Sequence, residues 1–530
     1  MIKSKFSIKK KTKKAHLILY LALAVIWTFT FVAITSAYAE LFTPPDSQSG
    51  DTSDLSGVGS DTVNKRSVVK MGYESINLPN NQFMGIIGTT YLIEIGHGIY
   101  IGPAVYGAVT GEQGGFFTAG GELAWHYPLF SKLELQTGIY AGGGGGGGGT
   151  SLWGGGLMLR PHVDFLWDFG KFKAGITASN VSFPNGGNVH SDQIGFTIAI
   201  DSNFSYYTSD YVGKRLIAQG RQGFGADRMM TIVGSYFPGT GVKKNGGTPS
   251  DSHMGYIGAR FERFMTPWLY LGLEGAGAFS GDSAGYAEYL GALGVETSIL
   301  NNWLTIGSRF ALGMGGGGGV SVGGGLLGKL GAYATYNVNR SIHFSLEGGY
   351  AVAPDGDFRA PYCSANLAFD LDHPFGVSAQ GIVDGYEFIF GSSHYFAANT
   401  KNGNQHDVDL VTIKVNRYLN DYIYLTGQGN SAYYGQSGAF SVGMVGAGFS
   451  SPKFADRFSV GAEILLGAAG GGSLDTEGGL SVQPMAYLGM KLTKAIGIKL
   501  SAGRIISLKG SLNSTVLDIG ICFDYGANSR

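Results

Sequence analysis

The chain has 530 residues, of which 14% are charged, 13% are aromatic and 90 are glycine, and its formal net charge at pH 7 is −1. Ordinary soluble domains contain about 25% charged residues and about 7% glycine, and the aromatic content argues against a disordered chain. Glycine does not recur at every third position, which excludes collagen. The composition instead indicates a β protein that exposes apolar surface to a medium other than water.

Residues 1–39 have the order of a secretory signal peptide. Several lysines and no acidic residue precede the apolar run LILYLALAVIWTFTFVAITSA, which leads into the cleavage site Ala37-Tyr38-Ala39. An uncleaved membrane anchor is the alternative, because this run is longer than the apolar part of most signal peptides. Cleavage removes the main basic segment, so nucleic acid is not an expected partner.

Three segments of the chain repeat one another. Each has a glycine-rich run, at 142–149, 313–319 and 467–472, and then an aligned segment, GGGLMLRPHVDF, GGGLLGKLGAYA or EGGLSVQPMAYL. Gly156, Gly325 and Gly479 coincide in this alignment, and the period is too long for a solenoid. We assign the repeats to 68–204, 229–372 and 385–526, with polar linkers at 40–67, 205–228 and 373–384.

Apolar residues alternate with polar or small ones along each repeat, which predicts strands with one apolar face. Before the second glycine run, Leu304, Ile306 and Phe310 share one face, and Thr305 and Arg309 share the other. Each repeat has about eight such segments, many of them long enough to cross a bilayer at a tilt. No segment has a helical period.

The connections between predicted strands are sorted by length. In the second repeat, short connections such as RFMTPW, ILNN and NVNRS alternate with longer ones such as PGTGVKKNGGTPSDSHM and APDGDFRAP. Short turns therefore lie at one end of the strands and long loops at the other, as in bacterial outer-membrane barrels. In such a barrel the apolar face meets lipid and the polar face lines the lumen.

The sequence therefore predicts an all-β fold, a transmembrane antiparallel up-and-down β-barrel with three internal repeats of about eight strands. Two architectures satisfy this prediction: three tandem eight-stranded barrels, or one barrel of about 24 strands. Lumen-facing charges and glycines favour the narrow, filled barrels.

The glycine run is predicted at the long-loop hairpin between the fourth and fifth strands of each repeat. Glycine there would let strands approach and bend inside a narrow barrel and would allow positive φ in the loop. A phosphate-binding loop would need Gly-Lys-Ser/Thr leading into a helix, whereas Thr150-Ser151-Leu152-Trp153 follows here.

Charged residues on the polar faces predict a structural ion network in the lumen, because buried charges persist when they are paired. An ion or solute path is the alternative role for these residues. The predicted network consists of Arg160, Asp201, Arg260, Glu262, Glu274, Glu288, Arg309, Lys329, Glu347, Asp370, Glu463 and Asp524.

No metal, cofactor or catalytic residue is predicted. His162 is a single histidine on its strand face, whereas a metal site needs several converging ligands. His343 and Ser345 resemble the His-x-Ser arrangement of lipid A deacylases, but their alternation directs them inward, away from lipid. Cys363 and Cys522 are far apart in the sequence and are expected to be unpaired.

Alternating strands and sorted loops across 68–526 resemble the small outer-membrane barrels typified by outer membrane protein A. The resemblance is one of architecture and implies a cell outer-membrane location after export, with lipid, lipopolysaccharide and the barrel-insertion machinery as partners. The expected function is a non-enzymatic barrel that presents surface loops. A porin-like channel or transporter is the first alternative, and a lipid A-modifying enzyme is the second.

Overall fold

The computed structural model describes residues 62–147, 150–217, 221–250, 252–300, 302–339, 341–371 and 380–529. The signal peptide predicted at 1–39 lies outside these residues. In the part of the chain that the structure describes, no helix is long and apolar enough to cross a membrane.

Barrel 1 is built by the first eight strands, and a short helix, α1 (Thr150–Trp153), lies between the fifth and the sixth. Each strand pairs antiparallel with the next, and pairing of the first with the eighth closes the circuit. The strands are β1 (Thr62–Leu78), β2 (Gln82–Gly96), β3 (Ile99–Gly111), β4 (Phe117–Phe130), β5 (Leu133–Gly145), β6 (Met158–Asp168), β7 (Lys173–Ser182) and β8 (His190–Tyr207).

A short strand, β9 (Arg215–Ile217), separates barrel 1 from barrel 2. Barrel 2 is closed in the same way, by pairing of its first and eighth strands. Its strands are β10 (Arg228–Tyr236), β11 (Met254–Thr266), β12 (Leu269–Ser280), β13 (Ala287–Ile299), β14 (Leu304–Gly316), β15 (Leu326–Asn337), β16 (Ile342–Val352) and β17 (Arg359–Asp370).

Barrel 3 completes the described chain, and its first strand pairs with its last over most of their length. Its strands are β18 (Gln380–Asn399), β19 (Gln405–Tyr418), β20 (Ile423–Tyr434), β21 (Ser441–Ser450), β22 (Phe458–Gly470), β23 (Leu480–Lys491), β24 (Ile496–Ser507) and β25 (Asn513–Ser529). Three closed circuits of eight strands mean that the tandem arrangement, and not one barrel of 24 strands, is formed. Short pairings of β9 with β18 and of β8 with β25 join barrels 1 and 3. The all-β barrel predicted from the alternation is confirmed.

The two faces of the strands have the expected polarity. In β16, Phe344 and Leu346 point outward and are 43% and 57% exposed, while His343, Ser345 and Glu347 are buried inside. The apolar outer surface and the charged interior are the reverse of a water-soluble β-sandwich and are characteristic of a transmembrane barrel.

Replacing Phe344 with arginine is expected to destabilise the protein by about 2–4 kcal/mol if the residue lies near the bilayer midplane, because a charge then faces hydrocarbon. Phe344→Leu keeps the outer face apolar and should cost much less. Urea unfolding in lipid vesicles measures both variants. Equal stability of the arginine variant and the wild type would mean that this face does not meet lipid.

The glycine runs lie between the fifth and sixth strands of each barrel, not between the fourth and fifth as predicted. Five strands precede the glycine run in each barrel, one more than predicted. The run still lies at the predicted long-loop end of the barrel, because the fifth strand ends there.

The predicted positive φ angles are present, as at Gly146, Gly317 and Gly471, but the close approach of these glycines is mainly to a neighbouring barrel and not within one. We call each such contact a glycine seam. The run of barrel 1 (143–156) meets 431–439 of barrel 3, the run of barrel 2 (313–325) meets 107–117 of barrel 1, and the run of barrel 3 (467–479) meets 277–286 of barrel 2. The contacts therefore form a closed head-to-tail ring of three barrels with pseudo-threefold symmetry.

Equivalent glycines occupy the same place in all three seams. A Cβ at Gly156, Gly325 or Gly479 would lie under 3.0 Å from a carbonyl oxygen of the neighbouring barrel, and their φ angles are +95°, +103° and +92°. The carbonyls belong to Ala432, Ala108 and Ala278 respectively. Only glycine permits both this backbone conformation and this close approach.

Backbone hydrogen bonds and aromatic rings reinforce the seams. Gly114 N–H donates to the Gly323 carbonyl at 2.9 Å, and Gly438 N–H donates to the Gly154 carbonyl at 3.0 Å. Barrels 1 and 2 are also joined by the stacked ring of Phe117 on a tyrosine of β13, with centroids 3.9 Å apart. The seams thus combine polar and apolar contacts.

The segment between β8 and β10 connects the three barrels at the short-turn end. Phe224 packs near Tyr91 of barrel 1 and Phe388 of barrel 3, with centroids 5.5 and 6.3 Å away. Asp227 accepts a hydrogen bond from the Phe264 N–H of barrel 2 at 2.6 Å. The barrels are therefore held together at both ends.

Candidate functional site: three ion-paired lumens

The lumen of barrel 2 contains a dense network of charged side chains. All seven residues predicted for it are at most 3% exposed: Arg260, Glu262, Glu274, Glu288, Arg309, Lys329 and Glu347. They lie on six strands, β11 to β16, and point to one interior because successive side chains of a strand point to opposite faces.

Glu274 lies at the centre of this network. Its carboxylate is 2.9 Å from Lys329 Nζ, 2.9 Å from an Arg309 nitrogen and 3.4 Å from an Arg260 nitrogen. Lys329 is also 2.9 Å from Glu288. Each charge therefore has partners of opposite sign, which is the condition under which charges stay buried.

Tyrosines and further charges complete the lumen of barrel 2. Tyr236 and Tyr286 donate to a Glu288 oxygen at 2.6 and 2.7 Å. Arg228 pairs with Glu262 and Glu296, at 2.5 and 2.7 Å. The sequence analysis missed Arg228 because it is the first residue of its strand, where too few neighbours show the alternation.

Barrel 1 has a second network, for which the sequence predicted Arg160 and, at the short-turn end, Asp201. Arg160 pairs with Glu74. Lys70 contacts Glu122 at 2.8 Å and Asp164 at 3.1 Å. Lys70 and Glu74 occupy alternate positions of β1, and the same period-2 pattern would have placed them in the lumen.

The three recurring aspartates lie at the short-turn mouths of the barrels. The Asp201 side chain is 61% exposed and contacts Lys173 at 2.9 Å. Asp370 contacts His343 at 3.3 Å, and Asp524 pairs with Lys491. Each aspartate is the last charged residue of its lumen network, at the mouth of the barrel, where water is accessible.

Barrel 3 keeps fewer ion pairs. Glu463 pairs with Lys414, and Glu387 pairs with Lys499. Leu465 and Met485 of this barrel are buried and belong to an apolar cluster. The lumen of this barrel is therefore partly an ordinary hydrophobic core.

The interior of barrel 1 contains a small cavity among its paired charges. A cavity of about 20 Å³ in barrel 1 is lined by Lys70, Glu74, Arg160 and Asp164 among others, and such a space accommodates about one water molecule. A path for solutes through barrel 1 would need a much wider opening than this cavity.

The two histidine arrangements lie inside the barrels. His162 is within 3.2 Å of Glu122 and 3.1 Å of Asp164. His343 Nδ1 is 2.9 Å from Asn337, and the Ser345 hydroxyl accepts from Thr335 at 2.9 Å. Among the residues that the structure describes, no group of three or more His, Cys, Asp or Glu is arranged to hold a metal ion.

Closed barrels with an apolar exterior and an ion-paired interior define the class of transmembrane β-barrels. No protein-family model matches the chain, and no curated protein matches it significantly.

Three solved structures illustrate what the chain is similar to. OpdQ of Pseudomonas aeruginosa aligns at 9% identity and a TM-score of 0.21, over 88% of this chain and 98% of that chain. The ferric enterobactin receptor PfeA of Pseudomonas aeruginosa aligns at 8% identity and 0.27, over 88% and 81%. The siderophore receptor PirA from Acinetobacter baumannii aligns at 10% identity and 0.26, over 88% and 81%. TM-scores this far below 0.5 establish no common arrangement of the strands, so function is argued from the chain's own geometry.

Proposed function

We propose that this protein is an integral bacterial outer-membrane protein that holds three sets of surface loops together as one non-enzymatic binding platform. The ring of glycine seams carries the proposal, because the seams lie at the long-loop end and fix the barrels relative to one another. A signal peptide would export the chain, and lipid, lipopolysaccharide and the insertion machinery would be its envelope partners.

Hydrogen bonds between the long loops support the proposal of a binding platform. In barrel 2, the loop after β10 bonds to the glycine-rich loop, since Asn245 N–H donates to the Gly319 carbonyl at 2.8 Å. Phe358 N–H donates to the Ser321 carbonyl at 2.9 Å and attaches the last long loop to the same segment. Loops fixed to one another present a defined surface and lose less conformational entropy when a partner binds.

The interior argues against catalysis on lipid. His343 and Ser345 are 8% and 0% exposed and face the lumen, so an acyl chain in the bilayer does not reach them. The outer face of the same strand carries Phe344 and Leu346 instead.

A channel or transporter is the second candidate, and the incomplete ion pairing of barrel 3 is the observation that favours it. Both amide atoms of Gln428 and of Gln483 are buried without a hydrogen-bond partner among the described residues. Because these polar groups lack partners, water enters the interior of barrel 3 more readily than the interior of barrel 2.

Planar-bilayer recording distinguishes the two candidates. The platform predicts no stable conductance steps above those of protein-free lipid, because it requires side chains to keep all three lumens closed. A known porin in the same bilayer serves as the positive control. Reproducible steps that disappear in Gln483→Leu would contradict the platform and favour conduction through barrel 3.

A further inference from the structure

Barrel 3 lacks the central ion pair of barrel 2. Glu274 lies opposite Leu290 on the neighbouring strand, as Gln428 lies opposite Met444. Lys329 and Gln483 also correspond, each following its seam glycine, Gly325 or Gly479, by the same number of residues. Two neutral amides thus replace a lysine–glutamate pair.

One acid of barrel 3 is left without a base. Asp518 is 7% exposed, takes part in no ion pair with another described residue, and its Oδ1 has no hydrogen-bond partner among them. Lys414, whose charge acts on Asp518, is itself paired with Glu463. A buried carboxylate without a counter-charge is strongly unfavourable, so this position requires a positive charge or a proton.

Polar groups of neighbouring strands lie beside this carboxylate, and its charge also acts on the buried Tyr395 hydroxyl. Asp518 lies directly opposite Ser393 in the β18–β25 ladder, and the Ser393 hydroxyl is 2.7 Å from the Thr412 hydroxyl. Asn430 Nδ2 donates to Ser393 Oγ at 3.4 Å, while Asn430 Oδ1 has no partner among the described residues. Two unpartnered oxygens and two hydroxyls therefore belong to one buried cluster.

We propose that this cluster, formed by Asp518, Asn430, Ser393 and Thr412, binds one monovalent metal cation of the Na⁺ or K⁺ type. Hard cations take carboxylate, amide and hydroxyl oxygens as ligands. A single unpaired carboxylate balances one positive charge, whereas a divalent ion would leave an excess charge in the interior. The site goes beyond the loop platform and does not depend on it.

The other two barrels do not repeat the site. Relative to the recurring mouth aspartates Asp201, Asp370 and Asp524, the position of Asp518 is Gly195 in barrel 1 and Ser364 in barrel 2. Neither residue carries a charge. The cation is therefore specific to barrel 3.

The test measures thermal unfolding of the full-length protein in detergent while NaCl or KCl replaces choline chloride at constant ionic strength. A cation that binds only the folded state raises the unfolding midpoint as its concentration increases. We expect this increase in the wild type and in Asp421→Asn, a control in an exposed turn of barrel 3. Asp518→Asn should abolish it.

A second variant keeps the test decisive if Asp518→Asn fails to fold. Thr412→Val preserves shape and removes one hydroxyl, so it should shift the half-saturating cation concentration at least severalfold upward. Equilibrium dialysis with ²²Na⁺ should give one bound ion per chain. Identical midpoints in choline, sodium and potassium, or no bound ²²Na⁺, would overturn the proposal and assign a proton to Asp518.

Discussion

Gly325→Ala is expected to break the seam between barrels 1 and 2 and to lower stability by about 2–5 kcal/mol. About 1–2 kcal/mol comes from a non-glycine residue in the left-handed region, and about 1–3 kcal/mol from overpacking. The new Cβ would lie under 3.0 Å from the Ala108 carbonyl oxygen, a rigid backbone atom. Urea unfolding of the reconstituted protein measures the loss.

Gly246→Ala separates these two causes. Gly246 lies in a loop of barrel 2 with φ +91°, close to the +103° of Gly325, but a Cβ there would meet nothing within 4 Å. The control should therefore show only the conformational cost. If both variants lost the same stability, the carbonyl contact across the seam would be unimportant.

Glu274→Gln is expected to lower stability by about 3–5 kcal/mol, because removing one partner of a buried network leaves uncompensated charge. Lys329, Arg309 and Arg260 all contact this carboxylate. Glu112→Gln, at an exposed site, is the control and should change stability by less than about 1 kcal/mol. Denaturant unfolding provides the comparison.

The double variant Glu274→Gln, Lys329→Gln imitates the residues found in barrel 3. It removes the lysine that lost a carboxylate partner and returns the lumen to its wild-type net charge, so it should be more stable than Glu274→Gln alone. Together with the single variant Lys329→Gln it completes a double-mutant cycle, in which we expect a coupling energy of about 0.5–3 kcal/mol. A strictly additive result would show that the two charges do not interact in the folded protein.

Some features of the candidate site follow from local pattern and some do not. The seven lumen residues of barrel 2 were predicted because alternation along a strand assigns each side chain to one face. Lys70 of barrel 1 follows the same rule, yet its partners Glu122 and Asp164 lie on other strands. Which charges meet depends on strand register, which the hydrophobic pattern and the turn geometry of several successive strands set together.

The amino-acid sequence by itself determined the strands, the polarity of their faces, the threefold repetition and the sorting of loops. Each of these depends on residues close together in the chain, where side-chain alternation and turn composition act directly. Tertiary structure alone decided that each repeat closes on itself, that the glycine runs join neighbouring barrels, and that Asp518 has no base beside it. These depend on which distant strands pair and on how closely two backbones approach, and no local pattern in one chain records those distances.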